Sequence, residues 1–490
     1  GKDLAITSVN GSTYPVDTGT LELKDPLLYK IPVRNVLEDK NGSLWISSSD
    51  RGLIKIQQKR ISSFTAAPEM QQAFTAILVS GRRIIAGNIA GEVLSYDRVY
   101  DIKRASLFPD RNTDGIVRNL VEWKDKIFVA CQTGSFFIDK KSFSVIATNR
   151  IESNRASKAA TLLNDSVLLM GSHSLTSKYD LLHSQITDTI IKRVTALGVG
   201  LDKAIYIGSN EGLYRWDKDS LYSFGRKYKA LTYRISTITT TPDGLVWVGL
   251  GADSLLVLSN NQLIAAIPLG NTIPGNVCKS LYSDKVGEVW LGTNKGLNKI
   301  QYSYSLGSLS YSNTFFSTTD GLIGQQVNDI TSDHDTLYVA TDAGISYMPA
   351  GLHLPVTDIA TFITNVSIDG RDTVVQDSYE LPYDKNDISI DFSGIDLTGY
   401  YPLFEYSING SNWQQTDKNS IDLRLSPGRT QLQIRALKRD GTPSSSIASV
   451  DIFIKTPFWK NSIFWTVIGL FLFIASLLWL QNRNRQKQKK

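Results

Sequence analysis

The residues most able to ligate a metal or act as nucleophiles are the histidines His173, His183, His334 and His353 and the cysteines Cys131 and Cys278. Their spacing offers neither chemistry. Neither cysteine belongs to a CxxC or Cys/His cluster, so a zinc site and a disulfide framework are both disfavoured, and one disulfide between the two stays open. The expectation is therefore no metal and no cofactor. Hydrolysis of a glycosidic bond needs paired carboxylates; the chain holds 47 acids, but the segment SSSDRG from Ser47 lacks the spacing of an aspartate box. No glycine loop suited to phosphate is present. Binding is a better fit than catalysis: the run QYSYSLGSLSYSNTFF at Gln301 to Phe316 is rich in aromatics of the kind that stack on sugars. Tyr304, Tyr311 and Phe315 are its candidate ligand contacts, although inward-facing aromatics of a packed strand would read identically.

The elements that must position such contacts form a repeat. A large apolar residue followed two positions later by a small one recurs in LWIS (Leu44–Ser47), IIAG (Ile84–Gly87), FVAC (around Phe128), LLMG (Leu168–Gly171), IYIG (Ile205–Gly208), VWVG (Val246–Gly249), VWLG (Val289–Gly292) and LYVA (Leu337–Ala340). Successive copies are 40, 43, 41, 37, 41, 43 and 48 residues apart. Four or five residues later a second glycine recurs at Gly52, Gly91, Gly134, Gly212, Gly296 and Gly344. Upstream turns such as DKNG (Asp39–Gly42) and TPDG (Thr241–Gly244) suit tight hairpins. Short antiparallel strands at this period predict an all-β chain with a β-propeller of seven or eight blades over residues 31–350. The fourth and sixth copies lack the second glycine and are the weakest blades. Trp45, Trp247 and Trp290 are expected to be packing residues.

The runs EDKNGSLWISSSDRGLIKI (Glu38–Ile56), VWLGTNKGLNKI (Val289–Ile300) and TTDGLIGQQVNDI (Thr318–Ile330) resemble the repeats of the two-component regulator propeller family. That family commonly carries two seven-bladed rings, so the resemblance implies that residues 1–30 are the remnant of a preceding blade and that more chain lies upstream.

From Pro355 the pattern changes to alternating strands, ISIDF, LFEYSI, DLRL and LQIRAL, which predict an immunoglobulin-like β-sandwich over residues 355–456. Phe392, Tyr400, Phe404, Tyr406, Trp413, Pro427, Gly428, Ala436 and Gly441, with the exit TPFWKNSIFW, resemble the triple-tyrosine domain that joins such propellers to a membrane helix. Residues 463–480 then read IFWTVIGLFLFIASLLWL, without a charge and roughly 27 Å long as a helix, which predicts a transmembrane span.

Charge is nearly balanced, 52 Lys and Arg against 47 Asp and Glu, and much of the +5 surplus follows the span in residues 481–490. That asymmetry predicts a cytoplasmic C-terminal stub, residues 1–460 outside, and an inner-membrane, single-pass location. No nucleic-acid contact is expected through this fragment. The resemblance implies an extracytoplasmic sensor whose expected ligand is an oligosaccharide and whose cytoplasmic output is a histidine kinase; a DNA-binding output, or a propeller scaffold for envelope proteins, are the alternatives. Because a single helix passes little information by itself, a homodimer is expected.

Overall fold

The computed structural model describes residues 31–39, 43–56, 60–64, 73–97, 102–108, 115–146, 157–217, 220–270, 273–354, 356–396, 402–416 and 418–487, with the backbone of a strand pair at Leu4–Thr7 and Thr13–Val16. Tyr400, the turn residues 40–42, most of residues 1–30 and residues 488–490 lie outside the described residues. Among the described residues the chain is all-β apart from short 3-10 turns and one C-terminal helix, and it divides into two units, Gly1–Pro355 and Val356–Lys490.

In the first unit, seven antiparallel sheets follow one another along residues 62–349. Their first strands are Phe74–Ser80, Val117–Trp123, Ala159–Asn164, Ala196–Val199, Ile235–Thr240, Cys278–Tyr282 and Val327–Asp333. Each first strand lies against the first strand of the next sheet, and the seventh lies against the first, so the sheets form a closed cycle. Six sheets have four strands; the second has three, extended by a bridge between Ile138 and Val145. The fourth strand of the seventh sheet is Ser62–Phe64, which precedes the whole cycle in sequence and pairs with Ile345–Pro349. The Asn328 side-chain amide donates to the Phe74 carbonyl at 2.7 Å across the same seam.

Packing explains both glycine positions of the repeat. The small residue closes the second strand of each sheet, where the next sheet crosses it. A Cβ on Gly87 would stand 2.6 Å from Val117 Cβ, and one on Gly171 the same distance from Val194 Cβ. The later glycine sits in the turn from second to third strand, under the chain leading to the next sheet. At Gly212, with φ 114°, a Cβ would fall 2.1 Å from the Leu231 carbonyl oxygen. The third sheet lacks that glycine and closes its turn instead through the Ser172 hydroxyl, which accepts the Leu175 N–H at 3.1 Å. Both repeats without the second glycine form full four-stranded sheets.

Trp247 and Trp290 are buried between sheets. The copy containing Trp45 forms a separate three-stranded sheet, Val33–Glu38, Leu44–Ser48 and Gly52–Ile56, whose strands pair with none of the seven sheets among the described residues. Cys131 and Cys278 are free, buried thiols in different sheets, and burial pushes each up to about 12.

In the second unit a four-stranded and a five-stranded sheet enclose one apolar core that includes Ile390, Phe392, Phe404, Leu432, Ile434 and Ile452. The alternation seen in the sequence is the cause: Ile388, Ile390 and Phe392 face inward while their neighbours face out. The longest strand, Pro443–Ile454, leads through Pro457 and a 3-10 turn at Phe458–Lys460 into helix α1, Ser462–Lys487.

Candidate functional site

The first strands of the cycle share an irregularity at their start. Pairing with the second strand skips one residue between Phe74 and Ala76, Val117 and Asn119, Ile235 and Thr237, Cys278 and Ser280, and Val327 and Asp329. The residue before each skip is buried; Val117, Ile235, Cys278 and Val327 press on the small residue of the preceding sheet. The skipped residue is thereby released from the ladder, which is what a bulge does. These residues are Thr75, Arg118, Ser236, Lys279 and Asn328. Lys158 and Thr195 stand at the same level of the third and fourth sheets, where their N–H groups donate to the Gly171 and Gly208 carbonyls. Seven equivalent positions thus circle one end of the cycle. The turns between second and third strands, and the connections from sheet to sheet, lie at that same end.

Three of the four neutral members stitch neighbours together, while the Ser236 hydroxyl donates within its own sheet to the Gly249 and Leu250 carbonyls. Thr75 and Thr195 donate their hydroxyls to the carbonyls of Val117 and Ile235 in the following sheets, and Asn328 donates its side-chain amide to the Phe74 carbonyl. The cations behave differently. Arg118 reaches only the Gln132 side-chain oxygen, and no carboxylate pairs with Arg118, Lys158, Arg193, Arg234 or Lys279 among the described residues. Burial and then the charge of Arg234 lower the value of Arg118. Lys158 is lowered by burial, Arg193, Arg118 and Arg234, and Lys279 by burial and Arg118, with Asp342 opposing. Those pairs link the second, third, fourth, fifth and sixth sheets, and the five cations all lie at this end of the cycle, at or within two residues of the equivalent positions. His173, in a turn at this end, is likewise lowered by burial, Lys158 and Arg193. Nearby Lys192 is neutralised by Glu211 at 2.6 Å.

Beside the closing seam, Asp329 follows the last of the seven positions. Its carboxylate accepts the Ile77 N–H of the first sheet at 2.9 Å and its neighbour Ile330 N–H at 2.9 Å. Burial pushes it up to about 7, against the pull of those two bonds. Protein surrounds the carboxylate although part of the residue retains access to solvent.

The aromatic candidates lie elsewhere. Gln301–Phe316, which reads as a connection, is the hairpin of the third and fourth strands of the sixth sheet, with its turn at Leu306–Gly307. Tyr304 and Tyr311 are partly exposed near that turn, at the end of the sheet opposite the cationic mouth, whereas Phe315 sits beside Gly296 at the mouth end. Tyr304 faces Leu309, six residues from Phe315 and about 20 Å away along the strand, so the three do not make one site. Sequence reasoning missed the cations. A signal exists for three of them: Arg118, Lys158 and Lys279 stand, like Thr75, Thr195, Ser236 and Asn328, 12 or 13 positions before the small residue of their repeat, whereas Arg193 and Arg234 stand 15 before it.

Among the described residues one helix, Ser462–Gln481, is long and apolar enough to cross a membrane, and no group of three or more His, Cys, Asp or Glu could hold a metal ion.

No protein-family model and no curated protein matches the sequence. The fold has a solved counterpart. The extracellular domain of a protein assigned as hybrid two component system BT3049 from B. thetaiotaomicron aligns with a TM-score of 0.59 at 13% identity, over 93% of this chain and 71% of that one. The extracellular domain of BT4673 from the same organism, assigned as a one component system, aligns with a TM-score of 0.49 at 16% identity, over 93% and 68%. At 13% identity the likeness to the BT3049 domain is one of fold.

Proposed function

We propose that this chain is the ligand-sensing and membrane-anchoring part of a signalling receptor. In this reading the seven-sheet cycle is a seven-bladed β-propeller, residues 356–456 are an immunoglobulin-like sandwich of the triple-tyrosine kind, and α1 is a single inner-membrane span with its basic end in the cytoplasm. The fold shared with the extracellular domain of a hybrid two component system supports it.

The observation that carries the reading is the stiffness of the junction between sandwich and helix. Strand Pro443–Ile454 pairs in parallel with Ser378–Leu381, and Lys455 continues that grip with its N–H on the Leu381 carbonyl at 2.8 Å and its ammonium on Glu380 at 3.0 Å. Trp459 packs edge-on against Tyr383 of the same sandwich, with ring centroids 4.8 Å apart, and its carbonyl accepts the indole N–H of Trp465 at 2.6 Å. Asn461 caps the helix by accepting the Ile463 N–H at 3.1 Å. Pro457 fixes one of the two residues left between Lys455 and the 3-10 turn. A displacement of the sandwich is therefore passed to α1 rather than absorbed by slack.

One helix transmits little by itself, so the reading includes a homodimer in which ligand biases two arrangements of paired spans. The output is a histidine kinase joined to the span, and the chain itself is non-catalytic. The test is an insertion of about ten Gly and Ser residues after Lys455 of the full-length receptor, in cells whose reporter responds to the inducing growth medium. Loss of the response with unchanged receptor abundance is expected. An unchanged response through the flexible insert would overturn the mechanical coupling.

A further inference from the structure

The cationic mouth deepens the sensor reading, and rests on it, by indicating what kind of ligand the ring accepts. We propose that the mouth of the seven-sheet cycle, through Arg118, Lys158, Arg193, Arg234 and Lys279, binds a small soluble molecule carrying several sulfate, phosphate or carboxylate groups.

Three observations support this. The five side chains come from five consecutive sheets or the connections leading into them, at or within two residues of one register position, so closure of the cycle, rather than chance on a surface, brings them together. Their charges disfavour one another: Lys158 feels Arg193, Arg118 and Arg234, and Lys279 feels Arg118 from across the ring. Such a cluster costs stability unless something anionic joins it. No protein carboxylate fills that role among the described residues; Glu211 is taken by Lys192, and Asp342 offsets Lys279 alone.

The placement of the cations around one end of a closed cycle, with Arg118 acting on Lys279 from across it, favours a small ligand over a protein surface. Lys158 and Lys279 are half-buried, and Arg118, Arg193 and Arg234 are exposed. Planar guanidinium groups take such anions in a bidentate fashion, and the ammonium groups act as point charges. A neutral sugar would leave all five charges unrelieved.

The experiment is calorimetric titration of the purified chain in detergent at low salt with two probes, sucrose octasulfate and tetragalacturonate, and with sucrose as the neutral control. One-to-one binding of at least one probe is expected, weakening steeply as salt rises, with no heat from sucrose; which probe binds identifies sulfate-type or carboxylate chemistry. Lys158→Gln and Lys279→Gln should each weaken binding about tenfold, the effect of one lost charged contact. Lys203→Gln, at the opposite end of the fourth sheet, should leave affinity unchanged. Because the native charges repel, Lys158→Gln and Lys279→Gln should melt no lower than wild type without ligand, which separates lost binding from lost folding. Binding of neither probe, or equal binding by wild type and both lysine variants, overturns the proposal. That outcome leaves the sensor reading standing, because the linker insertion tests it independently.

Discussion

Closure of the seven-sheet cycle rests on Ser62–Phe64, and disabling that strand is a stringent test of the architecture. Ile61, just before it, is fully buried in a core with Trp290, Leu297, Phe316, Leu322 and Val327. Ile→Ala at such a site costs about 2–5 kcal/mol. Phe64 is half-buried and stacks on Tyr347 with centroids 4.6 Å apart and on Tyr96 at 6.0 Å, so its truncation should cost about 2 kcal/mol. The pairing of Phe64 with Ile345 closes a loop of about 280 residues, whose entropic cost is about 5 kcal/mol from (3/2)RT ln n. The double variant Ile61→Ala/Phe64→Ala therefore removes roughly what holds the ring shut. The assay is hydrogen exchange on the intact chain along a urea series. Protection should fall by about 4–7 kcal/mol in strands Val327–Asp333 and Ile345–Pro349, with the sandwich strands as the internal control. Phe362→Ala, at a 50% exposed site of the sandwich, should leave the ring untouched. A loss below about 1 kcal/mol in the seventh sheet would mean that its fourth strand does not close the cycle.

Two further outcomes follow from the same packing and electrostatics. Gly249→Ala places a methyl 2.6 Å from Thr237 Cγ2 and 2.7 Å from Cys278 Cβ, so overpacking should lower stability by about 1–3 kcal/mol in urea melts; a neutral result would show that the fifth and sixth sheets are not in tight register. Asp329 is raised to about 7 from an ordinary value near 4, so between those values the folded state holds a proton the unfolded state has lost. The stability contributed by the protonated form is complete below about pH 4 and lost as pH rises to about 7, an effect on the order of 4 kcal/mol at most. Asp329→Asn should flatten that part of the stability profile relative to wild type; parallel profiles would contradict burial of the carboxylate.

What the sequence determined by itself is what short-range physics controls. Strands such as VWVG and IYIG are buried on both faces and read as continuous apolar runs; the glycine ending each strand reports the neighbour that presses on it, and ISIDF reveals an inward face by alternation. The eighteen uncharged residues from Ile463 to Leu480 needed only a length and a composition to be recognised as a helix able to cross a membrane. What only the tertiary structure decided involves partners far apart in the chain. Ser62–Phe64 is three residues of weak pattern, and nothing local says that it pairs with residues 345–347 while the better-patterned Leu44–Ser48 stands in a separate sheet. The cations tell the same story. Arg118, Lys158, Arg193, Arg234 and Lys279 read singly as ordinary solvated charges spaced about forty residues apart, and the aromatic run around Tyr304 looked the richer site. They become one site because closing a ring turns a repeat position into a circle, and coulombic interaction depends on distance in space, which the order of residues along the chain does not encode.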